Sequence, residues 1–253
     1  IYNGHYSSEL SKITENNQKV FVGSFADAYT KGLGKIFEEH FGRYASDKVD
    51  GFTAMNTSMI NSGLFVYVSK GASLSKPVII INFIEDSDVE IFANHRNLLV
   101  VEENGYAEVS EVYYANGKES SFSNVVTEIF LGNNAELLHN KIQNEGDKAF
   151  HVGTTQVEQK NHSRLYSMTV SWGGSLLRNN LNSVLNGEGI DCYFRGFYFA
   201  KGNQIIDNHT LADHAMPNCH SNEFYKGILD EKGTGIFNGK IMVRQDAQKT
   251  NAY

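Results

Sequence analysis

The sequence is poor in the residue types that cross-link a small protein or carry it to a charged surface. It has two cysteines and two prolines in 253 residues, which excludes a disulfide framework. Lysine and arginine number 22 against 29 aspartates and glutamates, giving a net charge of −7. A chain without a basic excess is a poor candidate for binding nucleic acid or an anionic membrane. No apolar run reaches the roughly 18 residues of a transmembrane helix.

What the sequence has in excess is turn-forming residues. Glycine (23) and asparagine (26) together supply 49 of 253 residues. Both tolerate positive φ, so they make tight turns where proline is scarce. Many tight turns predict many short strands rather than long helices. The length allows one large domain or two small ones. Because the chain starts at Ile1, without an initiator methionine or a signal peptide, we expect it to be a piece of a longer protein.

Helical periodicity is confined to one early segment. Apolar residues recur at helical spacing over 27–44, although Gly32 and Gly34 weaken the pattern. After residue 60, short runs rich in β-branched and aromatic residues alternate with Gly and Asn. We predict a first strand over 19–23 and later strands over 64–68, 78–84, 98–101, 125–131 and 193–199. A Rossmann or (β/α)8 fold is excluded, because it needs a helix roughly every 30 residues.

A weak internal repeat indicates how these strands are arranged. Turn-plus-strand segments recur near multiples of about 14 residues; they are anchored at Ala107, Ala135, Ser175, Gly189 and Gln204. A half-turn of that length is typical of a two-sided β-solenoid, with asparagines at its corners. A β-sandwich, whose strands also recur at short and regular intervals, is the alternative on pattern alone.

Residues with catalytic or metal-binding chemistry are concentrated in one stretch, 207–223. Standard signatures for hydrolases, phosphate loops and metalloproteases are missing. The stretch offers four weak candidate metal ligands: His209, His214, Cys219 and His220. These side chains could equally cap turns or line a partner interface, since they lack a fixed ligand spacing. Elsewhere we expect Cys192 to be a buried inert thiol and Trp172 to lie in the core.

Several motifs in the last third occur together and in order. They are Asn-Glu-Phe-Tyr-Lys-Gly-Ile at 222–228, Gly-Ile-Phe-Asn-Gly-Lys-Ile at 235–241 and Asp-Ala-Gln-Lys-Thr-Asn-Ala at 246–252, with further segments at 52–57, 63–71, 97–104 and 177–181. This series resembles the SufB/SufD family of iron–sulfur cluster assembly proteins, over roughly residues 20 to 253. The 207–221 pattern is closer to the SufD branch than to the SufB branch.

The resemblance implies an all-β fold: a right-handed parallel β-helix core with a short N-terminal helix. It places an N-terminal strand and helix in residues 1–50 and the β-helix core in residues 51–253. It implies a cytoplasmic, non-enzymatic scaffold that pairs with SufB, binds the ATPase SufC, and helps supply iron and form a transient iron–sulfur cluster. The family's cluster-site Cys and His, and its C-terminal helical domain, are expected beyond residue 253, so no catalytic or cofactor-binding residue is assigned here.

Three further possibilities remain open at this stage. A homodimer through the ends of the β-helix is plausible, since unpaired strand edges can pair with a second copy. A β-solenoid carbohydrate-binding protein or polysaccharide lyase is the alternative function, although the carboxylates are dispersed and do not repeat at rung spacing. Direct metal binding by the 207–223 stretch is the third, and we expect it to be weak or absent.

Overall fold

The computed structural model describes residues 1–17, 19–48, 50–85, 88–115 and 119–253. The helices are α1 (Phe25–Thr30), α2 (Gly34–His40) and α3 (Gly51–Ser58). The strands are β1 (Val20–Ser24), β2 (Leu64–Val68), β3 (Val78–Ile84), β4 (Ile91–Val101), β5 (Tyr106–Ala115), β6 (Ser121–Leu131), β7 (Glu136–Glu145), β8 (Ala149–Gln159), β9 (Arg164–Gly173), β10 (Leu176–Leu185), β11 (Asp191–Ala200), β12 (Ile205–His214), β13 (His220–Leu229), β14 (Thr234–Val243) and β15 (Asn251–Ala252).

The strands build two sheets that the chain visits alternately. The eight-stranded sheet has the order β1-β2-β4-β6-β8-β10-β12-β14, and the seven-stranded sheet has the order β15-β13-β11-β9-β7-β5-β3. Among the described strands, every pairing is parallel except that of β1 with β2. Alternate strands on two parallel sheets are the winding of a β-solenoid, so the parallel β-helix is confirmed and the sandwich is excluded.

The period of the winding agrees with the predicted half-turn of about 14 residues. In the eight-stranded sheet, residue 91 pairs with 121, 121 with 149, 150 with 176, 176 with 205 and 205 with 234. Each of these steps is close to two half-turns, so the strands of this sheet follow the repeat. All the predicted strands coincide with or fall within observed ones, apart from a one-residue offset at β1.

One corner of the solenoid repeats a single backbone conformation. It carries one residue with positive φ in each turn: Gly71, Asn104, Asn134, His162, Gly189, Asn218 and Lys249. The backbone N–H of Asn104 donates to Asn133, that of Asn134 to Asn161, and that of His162 to Glu188. The asparagine and glycine excess thus does form corners, although histidine and lysine occupy the same left-handed conformation on two turns.

The predicted helix over 27–44 is broken in two. Gly32 adopts φ +77°, which ends α1, and α2 begins two residues later. The apolar residues of this segment therefore belong to two short helices with a turn between them. The sequence pattern also missed α3, whose start is capped by Asp50: its Oδ1 accepts from the backbone N–H groups of Phe52 and Thr53, both at 2.9 Å.

The N-terminal segment is fixed to the outer face of the eight-stranded sheet by a buried ion pair. Arg96 Nε donates to Glu128 Oε2 at 2.9 Å, and both side chains are almost fully buried. Glu128 also accepts from the backbone N–H groups of Gly42, Tyr44 and Ala45. Through these bonds the ion pair holds residues 42–45 against the outer face of the sheet.

The outer face of the seven-stranded sheet is instead open and apolar. Exposed side chains there include Ile79, Ile81, Tyr114, Tyr166, Met168, Trp172, Phe197, Phe224 and Ile228. Trp172 lies among them, 36% exposed, so its predicted place in the core is wrong. It occupies an outward position of β9, where alternation sends every second side chain to solvent. Cys192 is buried, as predicted.

Candidate functional site

The four candidate ligands of the 207–223 stretch fall on different surfaces of the solenoid. His209 points outward from β12, where Nε2 lies 2.9 Å from Asp207 Oδ1. Arg178 Nη1 donates to the other oxygen of Asp207 at 2.5 Å. The carboxylate is therefore shared between a guanidinium and an imidazole on the outer face of the eight-stranded sheet.

His214 and Cys219 lie inside, at the corner that closes the same turn. His214 Nε2 lies 2.8 Å from Ser221 Oγ, and Cys219 Sγ donates to the carbonyl of Gly187 at 3.1 Å. Burial lowers the pKa of His214 and raises the pKa of the Cys219 thiol. The Cys219 thiol is therefore held protonated, which disfavours metal ligation by its sulfur, whereas the neutral imidazole of His214 is the form in which histidine binds metals.

His220 lies on the opposite sheet, at the start of β13. Its ring meets Tyr193 edge-on with centroids 5.5 Å apart, and Nδ1 is 3.7 Å from Asp191 Oδ1. The four candidates are thus divided between two outer faces and the interior. Within the described part of the chain, no three His, Cys, Asp or Glu side chains converge as a metal site. A role for these four residues stays a prediction.

The largest concentration of ionisable groups lies in the solenoid interior, which the sequence analysis did not identify. Its centre is Glu111, 1% exposed. Four side chains from four successive strands surround the carboxylate: Asn97 Nδ2 at 3.4 Å, Tyr113 Oη at 2.5 Å, Thr127 Oγ1 at 3.0 Å and His139 Nε2 at 2.8 Å. Burial alone would raise the pKa of Glu111, but His139, Lys141 and Tyr113 lower it to about 2. The carboxylate is ionised in the interior.

Next to it lies a second buried pair with a lysine between the two. His151 Nδ1 is 3.0 Å from Glu145 Oε2. Lys141 is 6% exposed and its Nζ lies 5.2 Å from the centroid of the Tyr113 ring. Burial lowers the pKa of Lys141 to about 8, against the opposing pull of Glu111 and Glu145. Two carboxylates and one ammonium group thus form a compact interior charge cluster.

His95 borders this cluster, and neither of its ring nitrogens has a hydrogen-bond partner among the described residues. It is 1% exposed, and desolvation lowers its pKa to about 3. Further along the solenoid the interior stays polar but becomes neutral. Ser171 and Asn179 donate to Gln143 Oε1 at 2.7 and 2.8 Å, and Asn179 also donates to Asn208 at 3.2 Å. A continuous polar strip therefore runs along the middle of the interior.

The one sequence signal of this strip is the alternation of residue types in β7. In β7 the inward positions are Leu137, His139, Lys141, Gln143 and Glu145, and they alternate with outward residues. Alternation shows that two faces differ, but it does not show which face is inside. The usual assumption that the apolar set faces inward gives the wrong answer for this strand.

The outermost strands that the structure describes carry exposed apolar side chains. Among the described strands, β14 and the two-residue β15 are the last of their sheets. Apolar side chains of β14 remain 40–49% exposed there: Ile236, Phe237, Ile241, Met242 and Val243. An exposed strand edge with apolar side chains is a template for pairing with another strand.

Comparison with known families matches nearly the whole chain. A family model described as "SUF system FeS cluster assembly, SufBD core domain" matches residues 83–253. A second, described as the SufBD protein N-terminal region, matches residues 1–80. None of the helices in the described residues is long and apolar enough to cross a bilayer.

Curated relatives carry matching names. An iron–sulfur cluster assembly SufBD family protein of Synechocystis is 28% identical over 99% of this chain and 56% of its own length. The iron–sulfur cluster assembly protein SufD of Escherichia coli is 26% identical over 91% of this chain and 56% of its own length. The chloroplastic protein ABCI7 of Arabidopsis thaliana is 27% identical over the whole chain and 50% of its own length. The chain spans about half the length of the curated relatives it matches.

Proposed function

The chain belongs to the SufBD family of the SUF iron–sulfur cluster assembly system, and from that membership we propose that it acts as a SufD-like scaffold subunit. It pairs with SufB, and the complex includes the ATPase SufC. The scaffold helps to supply iron and to form the site of the nascent cluster. The cluster is cargo in this proposal, and ATP hydrolysis belongs to the partner, so the chain itself is not an enzyme.

The names of two relatives support the SufD branch over the SufB branch. Proteins named SufD from Escherichia coli and Bacillus subtilis are 26% and 25% identical to this chain. Family membership also favours cluster assembly over the carbohydrate-binding or lyase alternative. The cytoplasmic location and the division into residues 1–50 and 51–253 belong to the same proposal.

The single observation that carries the proposal is the match of the two SufBD family models, which cover residues 83–253 and 1–80. Among the described strands, β14 is the last of its sheet, and its exposed apolar side chains mark where a further strand adds to the solenoid, from the continuation of this chain or from a partner. A second copy of this chain adding at the same place makes a homodimer a competing product.

Co-purification of the protein with SufB and SufC tests the proposal. The variant Met242→Asp places a charge on β14, at an outward position 43% exposed. We expect it to abolish recovery of SufB and to leave the fold intact, because the side chain lies on the outer face and not in the interior. Met168→Asp is the matched control, since Met168 is 45% exposed on an outer face between two paired strands.

Recovery of neither partner with the unaltered protein would overturn the scaffold proposal. Equal loss of SufB in both variants would overturn the role of β14. Light scattering of the protein alone separates the homodimer from the heteromeric complex. The candidates His209, His214, Cys219 and His220 are tested separately by Fe(II) titration, in which we expect weak binding or none.

A further inference from the structure

In one column of outward side chains on the seven-stranded sheet, four of five successive rungs are aromatic, and the next rung carries Ile228. The register places Phe83, Tyr114, Asn144, Trp172 and Phe199 beside one another on five successive strands. Rings on neighbouring rungs do stack here, because the centroids of Phe83 and Tyr114 are 5.8 Å apart and their planes are 6° from parallel. Asn144 therefore interrupts a ladder of rings by one rung.

The interruption has the width of one flat ring. Tyr114 and Trp172 stand two rungs apart, about 9.6 Å at about 4.8 Å per strand. A ring at the level of Asn144 would lie about 4.8 Å from each. On the same sheet, Tyr166 and Tyr193 occupy adjacent rungs with centroids 5.0 Å apart and planes 3° from parallel. Ring pairs at about 4.5–7 Å attract each other, so an inserted ring would continue the stack.

The gap opens into a surface cleft of about 760 Å³. This volume lies within the range of small-molecule sites. Tyr114 is 40% exposed and Trp172 36% exposed, and both line this cleft. At the floor, the exposed amide of Asn144 presents one donor and one acceptor. The cleft therefore combines two aromatic walls with a polar floor.

The rim of the cleft carries two lysines, Lys148 and Lys201, and one exposed carboxylate, Asp147. Lys148 and Lys201 are both exposed, and neither forms an ion pair with any described residue. Asp147 is held by Gln204, whose Nε2 donates to it at 3.3 Å. Glu145 is 3% exposed and its Oε2 lies 3.0 Å from His151, in the interior. An anionic group on the ligand would meet the two lysines.

We propose that this cleft binds a purine nucleotide. The base inserts between Tyr114 and Trp172, its edge meets the amide of Asn144, and its phosphate lies beside Lys148 and Lys201. Asparagine matches the donor and acceptor pair on the edge of adenine. Stacking on aromatic side chains favours such an insertion whatever the base, because every base has a π-face. Binding is non-covalent and involves no chemical step.

The side chain of Trp172 is an intrinsic fluorescent probe of this site. Trp172 is the only tryptophan of the chain, so its fluorescence reports directly on a ring stacked against it. We titrate the protein with AMP and expect saturable quenching, with a matching heat in calorimetry. Adenosine should bind about tenfold more weakly because it lacks the phosphate. Inorganic phosphate alone should leave the fluorescence unchanged.

Two substitutions on one strand separate the gap from the rest of the sheet. Asn144→Tyr places a ring in the missing rung and should lower AMP affinity by at least about tenfold. Asn140→Tyr makes the same change two outward positions away on β7, outside the cleft. It should leave affinity within about twofold. The double variant Lys148→Gln, Lys201→Gln should weaken AMP to the level of adenosine.

Three results would overturn the proposal. The first is the absence of both quenching and heat up to about 5 mM AMP. At that concentration even a site with a dissociation constant of about 1 mM would be mostly occupied. The second is unchanged AMP affinity in Asn144→Tyr. The third is quenching by cellobiose but not by AMP, which would assign the aromatic walls to a sugar. None of these bears on co-purification with SufB, so the two proposals fail independently.

Discussion

Beside the corner that carries Asn104 and Asn134, the solenoid interior is filled by aliphatic side chains, whereas the middle of the same strands is filled by charged and amide groups. Leu137 and Leu165 pack in the first region, and both are fully buried. Glu111 and His139 meet in the second, 2.8 Å apart. Apolar packing is non-directional and tolerates exchange, but each buried polar group needs a particular partner. The two regions therefore differ in which substitutions they accept, although they are equally buried.

The largest expected effect comes from a volume-conserving change in the polar region. Glu111→Gln keeps the size of the side chain but removes the negative charge that faces Lys141 and His139. Breaking a buried ion pair in this way costs about 3–5 kcal/mol. We expect urea unfolding to show a loss of that size in the free energy of unfolding.

Leu137→Met is the matched change in the aliphatic region. Volume-conserving swaps between apolar residues usually cost less than about 1.5 kcal/mol. Similar losses in the two variants would show that the regions do not differ as proposed, and that filling space is all that the interior requires.

The second prediction concerns acid stability and His95. Its pKa falls to about 3 in the folded protein because of burial, against 6.5 for an ordinary histidine. Between these values the unfolded state binds a proton that the folded state does not, so stability decreases as the pH falls below 6.5. The contribution of this one group at pH 5 is about 2 kcal/mol.

His95→Leu should remove the part of the acid-induced loss of stability that comes from His95. The charged groups that act on His95 are Glu111, Lys141, His151 and the N-terminal amine, and all remain in the variant. Burial also lowers the pKa of His151 and His214, so some acid dependence persists. Unfolding curves at pH 7 and pH 5 measure the difference; parallel losses in variant and parent would contradict the assignment.

The smallest expected effect lies at the corner beside the aliphatic region. His162 adopts φ +58°, in the left-handed region that costs an ordinary residue about 1 kcal/mol or more. His162→Gly should therefore raise stability by roughly 0.5–1 kcal/mol. Asn134→Gly, at φ +56° on the preceding turn, is the comparison. It should change stability less, because asparagine already tolerates this conformation; a thermal melt that shows destabilisation of the His162 variant would refute the strain.

The sequence predicted the parts of this fold that depend on local pattern. The strand bounds of β2 and β3 follow from β-branched runs, and the turn length follows from the spacing of Gly and Asn. Whether a face points inward depends on which strand lies across the interior, and no local pattern contains that. For this reason Trp172 was wrongly predicted to lie in the core, and the Glu111 cluster was not predicted. In both cases apolar side chains were assumed to face inward.

The helices and the 207–223 candidates show a second limit. A cap such as Asp50 is visible in the sequence only when the following residues show helical periodicity, and α3 is too short for that. His209 and His220 lie on different sheets because the chain turns a corner between them. Proximity in sequence does not indicate convergence in a solenoid, because a residue lies beside the one that follows it by a full turn, as Ser121 lies beside Ala149.

The constant strand register has a consequence for how such a protein can change length during evolution. Turns of slightly unequal length stack with their strands in unbroken register, so the differences are absorbed between strands. A one-residue insertion within β7 would turn His139 and Lys141 to solvent and bring their outward neighbours inside. Viable insertions and deletions are therefore confined to the corners or come as whole turns, so relatives should differ in length by loop insertions or by complete turns of the solenoid.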